Sequence, residues 1–194
     1  MRLILCLTLA SLPAATMADC PKPGEMPKRV IFADGSVEQD LKINDGVVEV
    51  TDIAVDGTES RFTAKYGLYF GEISGGAEMV WNWLTPKLPR AEELPVEQET
   101  FFVASVDSQG GEEAIMVRYV YVSHGPEVLT VGDCEVPVIR LGQKQEFFDG
   151  SGSIVSQIWL DPERLLVLKT ERDKLDASGT VEAHRSALAT GFEM

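Results

Sequence analysis

Few residues of this chain could act as acids, bases or nucleophiles near neutral pH. His124 and His184 are the two histidines, so a general base would be one of them or a carboxylate with a shifted pKa. His124 lies in a Ser-His-Gly-Pro turn after an apolar run, and His184 has charged neighbours. Neither has a nucleophile close by in the sequence, and both are typical of surface positions. We therefore assign no catalytic residue.

The sequence motifs of common enzymes and metal sites are absent. The chain has no nucleophile elbow, no His-Glu-x-x-His, no phosphate-binding glycine loop and no EF-hand spacing. The run 150–153 (Gly-Ser-Gly-Ser) is typical of a hairpin tip, and the charged run 171–176 of a solvated hairpin end. We expect a protein that is not an enzyme and holds no metal or cofactor. A hydrolase that uses a carboxyl pair of raised pKa in a cleft is the enzymatic alternative.

The cysteines predict a disulfide bond. Cys6 lies in the N-terminal leader, so Cys20 and Cys134 form an even pair after the leader is removed. In an oxidising compartment such a pair is expected to be bonded. The loop it closes would span 134 − 20 = 114 residues. A loop of that length corresponds to about 4–5 kcal/mol of stabilisation in the chain-entropy description.

The first residues have the features of a secretory signal peptide. One arginine is followed by a mostly apolar stretch, residues 3–12, and by small residues ending at Ala18. We expect cleavage near Ala18, with export to the periplasm or the medium. Lipidation of Cys20 would need a small residue before it, but Asp19 occupies that position. We therefore expect an unanchored protein, and no later segment is apolar enough to span a membrane.

The charge balance restricts the partners. The chain has 17 basic and 31 acidic residues, a formal net charge of −14. Without Arg2 of the leader the balance is 16 − 31 = −15. Nucleic acids and anionic membrane surfaces both require clustered Lys and Arg. This composition therefore argues against both.

Turns and alternating runs predict a mainly β fold. Asp-Gly pairs, which tolerate tight hairpin turns, recur every eleven residues at 34–35, 45–46 and 56–57. Residues 37–43 alternate, with Val37, Gln39, Leu41 and Ile43 on one predicted face. The runs 100–106 and 114–122 are apolar on nearly both faces, so we expect them to be covered on both sides. About ten or eleven strands would curl into a barrel or half-barrel or fold into two layers, and we expect a half-barrel or a two-layer sandwich.

One long connection interrupts this antiparallel meander. Residues 74–98 contain two adjacent glycines, three prolines and the pair Trp81 and Trp83. We expect a loop that crosses the sheet and divides a single domain, 19–194, into a first meander (28–73) and a second (99–190). Two residues apart on an extended segment, the tryptophans face the same way. They could line a groove for an apolar ligand or peptide, or fill the core beneath the loop.

One hairpin resembles a known pattern. The hairpin consists of residues 159–163 (Trp-Leu-Asp-Pro-Glu) and 166–168 (Leu-Val-Leu). It is similar to a hairpin of exported bacterial proteins without an assigned function. That pattern usually has a glycine where this chain has Leu165. The lead-in at 131–134 (Val-Gly-Asp-Cys) also matches, and the resemblance covers about residues 100–172. Such proteins look like relatives of the periplasmic carriers that shuttle lipoproteins. The resemblance implies an unclosed barrel with an apolar concave face, and no catalytic residue.

These observations favour a non-enzymatic periplasmic protein. It would hold an apolar small molecule, a lipid chain or a protein segment on the concave sheet face under the 74–98 connection. The alternative is an envelope subunit that binds a periplasmic protein through an exposed strand edge.

Overall fold

Twelve antiparallel strands form the described part of the chain. The computed structural model describes residues 20–76, 78–108 and 114–194, and the predicted leader, 1–18, lies outside these ranges. The strands are β1 (Arg29–Phe32), β2 (Val37–Asn44), β3 (Val47–Ile53), β4 (Glu59–Lys65), β5 (Tyr69–Ser74), β6 (Met79–Trp83), β7 (Glu99–Ser108), β8 (Ile115–Val131), β9 (Cys134–Phe147), β10 (Ser153–Asp161), β11 (Leu166–Leu175) and β12 (Val181–Glu193). A short 3-10 helix, Ala91–Glu93, lies between β6 and β7.

The sheet closes on itself as a barrel. Each strand pairs with the next one in the sequence, and β1 pairs with both β2 and β12. The half-barrel or two-layer sandwich predicted from the sequence is therefore wrong in this respect, although the mainly antiparallel β class is confirmed. The four residues of β1 make the difference, because Arg29 is paired with Gln39 on one side and Glu193 on the other. Closure gives both sheet edges backbone partners at this seam.

The connection 74–98 is not a single crossing loop. Its residues Met79–Trp83 form β6, which pairs with β5 and β7 as part of the barrel wall. The part after β6, 84–98, contains the 3-10 helix, and Ala91 of this helix and Leu94 just after it are buried in a core cluster. The Trp-Asn-Trp run therefore joins the sheet because its extended backbone pairs with neighbouring strands.

The two strands predicted to be covered on both sides are covered on one. Phe102 of β7 and Tyr119 of β8 are buried on the inner side. Phe101 on the outer side is 62% exposed, and the Arg118 guanidinium lies 5.0 Å from its ring centroid. Other outer apolar side chains of these strands, such as Val103 and Val120, are half-buried. The outer side is therefore only partly covered, with a cation–π contact at Phe101.

The base of the barrel is the end where two turns meet. The turn at 66–68 joins β4 to β5, and the turn at 162–165 joins β10 to β11. Gly67, with a φ of +70°, packs against the Leu165 carbonyl oxygen, and a Cβ there would collide with that oxygen. The mouth is the opposite end of the same strands, beside the 54–58 and 176–180 turns.

The long β8–β9 hairpin bends to cover the base. Its pairing shifts between Ser123 and Gly125, and this bulge changes the direction of the strand. Beyond the bulge, Val131 and Val136 pack in the same buried cluster as Val30 of β1. The hairpin therefore seals the lower end against the seam strands.

An N-terminal arm, residues 20–28, is fastened to the base. Cys20 and Cys134 form a disulfide bond with 5.5 Å between their Cα atoms, which confirms the predicted bond. The buried Arg164 side chain donates hydrogen bonds to carbonyl oxygens of the arm, those of Pro21, Lys22 and Glu25. The arm is therefore held at two points, by a covalent bond and by one guanidinium.

Near the mouth, β12 extends beyond its partner β1. β1 pairs with β12 between Ala189 and Glu193, so the described residues provide no strand partner on that side for 181–187. This free edge is the feature required by the partner-binding alternative. It carries Glu182, His184 and Arg185, all exposed. Charged side chains on an edge strand oppose edge-to-edge association, so this segment favours solvent over another sheet.

Candidate ligand-binding cavity

A cavity of about 420 Å³ lies inside the barrel. Its wall is formed by β1–β5 on one side and β9–β12 on the other. Small-molecule sites are typically concave spaces of roughly 300–1,000 Å³ with mostly apolar walls. A second concavity of about 400 Å³ lies beside Asp40, Lys42 and Arg61, which are exposed polar residues. The interior cavity is therefore the better candidate.

The lower part of the cavity is apolar. Its wall there includes Val48, Val50, Phe62, Phe70, Ile158 and Leu166. These residues come from five different strands, because inward positions of neighbouring strands lie side by side in a barrel. The arrangement offers a water-poor surface to an apolar group.

Leu165 lines the floor from a strained backbone position. Its φ is +56°, in the left-handed region where glycine is favoured and a bulky residue is unusual. The same position is the glycine of the hairpin pattern that this segment resembles. The left-handed conformation costs a non-glycine residue roughly 1–2 kcal/mol. Burial of its side chain, which is 6% exposed and covers the cavity floor, offsets this cost.

Two carboxyl groups face the cavity near the mouth. Glu38 and Asp52 are directly paired across β2 and β3, and both line the cavity. Burial and the neighbouring Asp52 raise the pKa of Glu38 to about 8. Burial, and then the charge of Asp34, raises the pKa of Asp52. At neutral pH Glu38 is therefore mainly protonated, and it can donate a hydrogen bond into the cavity.

The raised pKa of Glu38 predicts a pH-dependent stability. The folded protein holds this proton up to about pH 8, whereas the unfolded chain releases it near pH 4.5. The stabilisation of the folded state by this bound proton is therefore complete below pH 4.5 and is lost as the pH rises to 8. For this half-buried side chain we expect a loss of roughly 2–3 kcal/mol in the free energy of unfolding.

Glu38→Gln should remove most of this pH dependence. Urea unfolding at pH 5 and pH 8.5 measures it, with Glu49→Gln as the control, because Glu49 is an exposed residue of β3. An unchanged slope of stability against pH in Glu38→Gln would show that Glu38 ionises normally.

A chain of polar side chains runs from the cavity into the core. Gln145 Nε2 donates to Gln143 Oε1 at 2.7 Å, and Gln143 Nε2 donates to Tyr121 Oη at 2.8 Å. Tyr121 Oη donates in turn to the Leu68 carbonyl oxygen at 3.2 Å. Burial raises the pKa of Tyr121 well above its ordinary value, so it remains a donor. The network fixes both glutamines at the cavity wall.

Trp81 and Trp83 pack against the core, and neither is among the cavity-lining residues. Trp81 Nε1 donates to Tyr119 Oη, and Trp83 Nε1 donates to the Phe70 carbonyl oxygen, both at 2.7 Å. The Trp83 ring lies 4.8 Å from that of Tyr119, between centroids. Their assignment as a ligand site stays a prediction. These contacts fit the alternative in which both fill the core.

The histidines lie apart from the cavity. His124 Nδ1 is 2.9 Å from Glu97 Oε1, and His184 Nδ1 is 2.7 Å from Asp173 Oδ1. His184 is exposed as expected, whereas His124 is half-buried. In the part of the chain that the structure describes, no three His, Cys, Asp or Glu residues are grouped as metal ligands would be.

The sequence pattern placed Glu38 on the wrong face. Alternation along 37–43 predicted Val37, Gln39 and Leu41 on the buried side and Glu38 in water. A bulge lies between Gln39 and Lys42, and Asp40 has a φ of +55°. The extra residue brings both Glu38 and Leu41 to the inner side. Asp tolerates the left-handed conformation, but the residue type alone does not reveal the bulge.

No helix among the described residues has the length and apolar character to cross a bilayer.

Comparison with known proteins defines the fold and not the activity. The sequence matches no protein-family model and no curated protein. The structure is similar to the crystal structure of the hypothetical lipoprotein YmcC from Escherichia coli K12, with a TM-score of 0.51 and 7% sequence identity. The similarity covers 82% of each chain. The chain therefore shares its mainly β architecture with a bacterial protein described as a hypothetical lipoprotein.

Proposed function

We propose that this protein is a non-enzymatic binding protein that holds an apolar or amphipathic small molecule, such as a lipid chain, inside its barrel. The observation that carries the proposal is the interior cavity of about 420 Å³, with an apolar lower part and polar groups at its mouth. Such a distribution separates a site for a tail from a site for a headgroup. The ligand thus lies within the barrel rather than on an open concave face.

Export to the periplasm is part of this proposal. The Cys20–Cys134 bond is typical of proteins in oxidising compartments. The predicted leader is a second, independent argument. A carrier in an aqueous compartment has to shield an apolar ligand from water, which an interior cavity does.

The proposal is tested by filling the cavity. Ala187 of β12 lines it, so Ala187→Trp should occupy the space and lower the affinity for the uncharged fluorophore N-phenyl-1-naphthylamine at least about tenfold. Ser186→Trp, at the exposed neighbouring position, is the matched control and should bind like the wild type. Circular dichroism and thermal unfolding show whether both variants are folded. Equal binding by folded Ala187→Trp and the wild type would contradict the interior site.

A carboxyl-pair hydrolase is the second candidate, and Glu38 with Asp52 favours it. The two groups lie side by side in a cavity with raised pKa values, as the enzymatic alternative predicted. Turnover of chromogenic esters or glycosides that Glu38→Gln abolishes would support this candidate over the binding function. Equal turnover by Glu38→Gln and the wild type would show that Glu38 takes no part in the reaction.

A further inference from the structure

Two arginines stand side by side at the mouth of the cavity. Arg172 of β11 lines the cavity, and Arg185 of β12, an exposed residue just outside the lining, is its direct cross-strand partner. Directly opposed residues of an antiparallel pair project from the same face of the sheet. Arg185 therefore lies on the inner side, at the level of Arg172.

The described residues supply no counterion for this pair. Within the described ranges no carboxylate lies within 4.0 Å of either guanidinium, whereas Arg29, Arg118 and Arg164 are each paired with at least one. Like charges opposite each other destabilise a sheet. Burial, and then the charge of Arg185, lowers the pKa of Arg172. An anion between the two would remove this repulsion.

The nearby carboxyl groups do not neutralise the arginines. The charge that raises the pKa of Glu38, after burial, is that of Asp52 and not that of an arginine. The charge that lowers the pKa of Arg172, after burial, is that of Arg185. Glu38 can become neutral by keeping its proton, but a guanidinium remains charged in proteins. Arg172 and Arg185 therefore contribute two lasting positive charges to the mouth, in a chain whose net charge is −14.

We propose that Arg172 and Arg185 bind the anionic headgroup, a carboxylate or phosphate, of a single-chain amphiphile whose tail fills the apolar part of the cavity. Guanidinium groups recognise both anions through paired N–H donors. Thr170, two residues before Arg172 on the same face, also lines the cavity and offers a hydroxyl. This inference rests on the proposed binding function and names the class of its ligand.

The test compares probes that differ in the headgroup or lack the tail. Dodecanoate, dodecanol and dodecyltrimethylammonium share one tail, and acetate provides the headgroup alone. By calorimetry below the micellar concentrations, the wild type should bind dodecanoate about tenfold more tightly than dodecanol. Arg172→Gln/Arg185→Gln should lower the dodecanoate affinity about tenfold and change that of dodecanol by less than about twofold. Arg61→Gln, at an exposed position of β4, is the control and should have no effect.

The outcomes separate the two proposals. Equal affinities for dodecanoate and dodecanol, unchanged in the double variant, would overturn the headgroup assignment and leave the cavity function standing. Tighter binding of dodecyltrimethylammonium than of dodecanoate would also overturn it. Acetate binding as tightly as dodecanoate would overturn the amphiphile assignment, because the site would then take a free anion. Binding of none of the three tailed probes would overturn the proposed function itself.

Discussion

A Cys20→Ser/Cys134→Ser variant is expected to unfold with a free energy about 4–5 kcal/mol below that of the wild type. The bond closes a loop with a sequence separation of 114 residues, and without it the unfolded chain gains conformational freedom. The folded arm also loses its covalent attachment to Cys134, which is 2% exposed beside the core of the base.

Urea unfolding with and without reductant measures this effect. Reductant should destabilise the wild type by the same amount and leave the double variant unchanged, which makes the variant its own control. A difference below about 1 kcal/mol would mean that the base holds together without the bond.

Arg164→Met is expected to lower the free energy of unfolding by about 3–5 kcal/mol. The Arg164 and Asp161 side chains are 7% and 2% exposed, with 2.7 Å between Nη1 of the arginine and Oδ2 of the aspartate. Removal of the guanidinium leaves a carboxylate buried without its cation and removes the hydrogen bonds to the arm. Leu165 and Leu166 follow directly in the chain and line the cavity, so affinity for N-phenyl-1-naphthylamine should fall as well.

The control for Arg164 is an exposed pair of the same kind. Arg118 and Glu146 lie 3.4 Å apart with 40% and 32% of their side chains exposed. Because water screens such a pair, Arg118→Met should cost about 1 kcal/mol or less. Asp161→Asn added to Arg164→Met should recover part of the loss, since it removes the unpaired charge. Similar losses in Arg164→Met and Arg118→Met would contradict the buried ion pair.

Local features of the fold could be predicted because local chemistry determines them. Asp45 and Gly46 both have positive φ, as the Asp-Gly pattern indicated for a tight turn. Cys20 and Cys134 were the one pair left after the leader, and they are bonded. Closure depends instead on the four residues of β1 meeting β12 at the far end of the chain. No local pattern reports such a long-range pairing.

The candidate site was harder to predict because its residues lie far apart in the sequence. Arg172 belongs to a charged run that is typical of a solvated hairpin end, yet it lines the cavity. Its significance depends on the pairing with Arg185, which the run itself does not contain. Glu38 was hidden by the bulge at Asp40. A tryptophan pair of this size is compatible with a ligand site or a core, and Trp81 and Trp83 pack against the core.

The most direct test of the interior site is photo-crosslinking with a dodecanoate analogue that carries a diazirine at the end of its tail. After irradiation and proteolysis, mass spectrometry locates the labelled peptides. We expect adducts on cavity residues such as Phe62, Ile158 and Leu166, and their loss in Ala187→Trp. Adducts confined to the outer surface at Phe101, or to Trp81 and Trp83, would contradict a ligand inside the barrel.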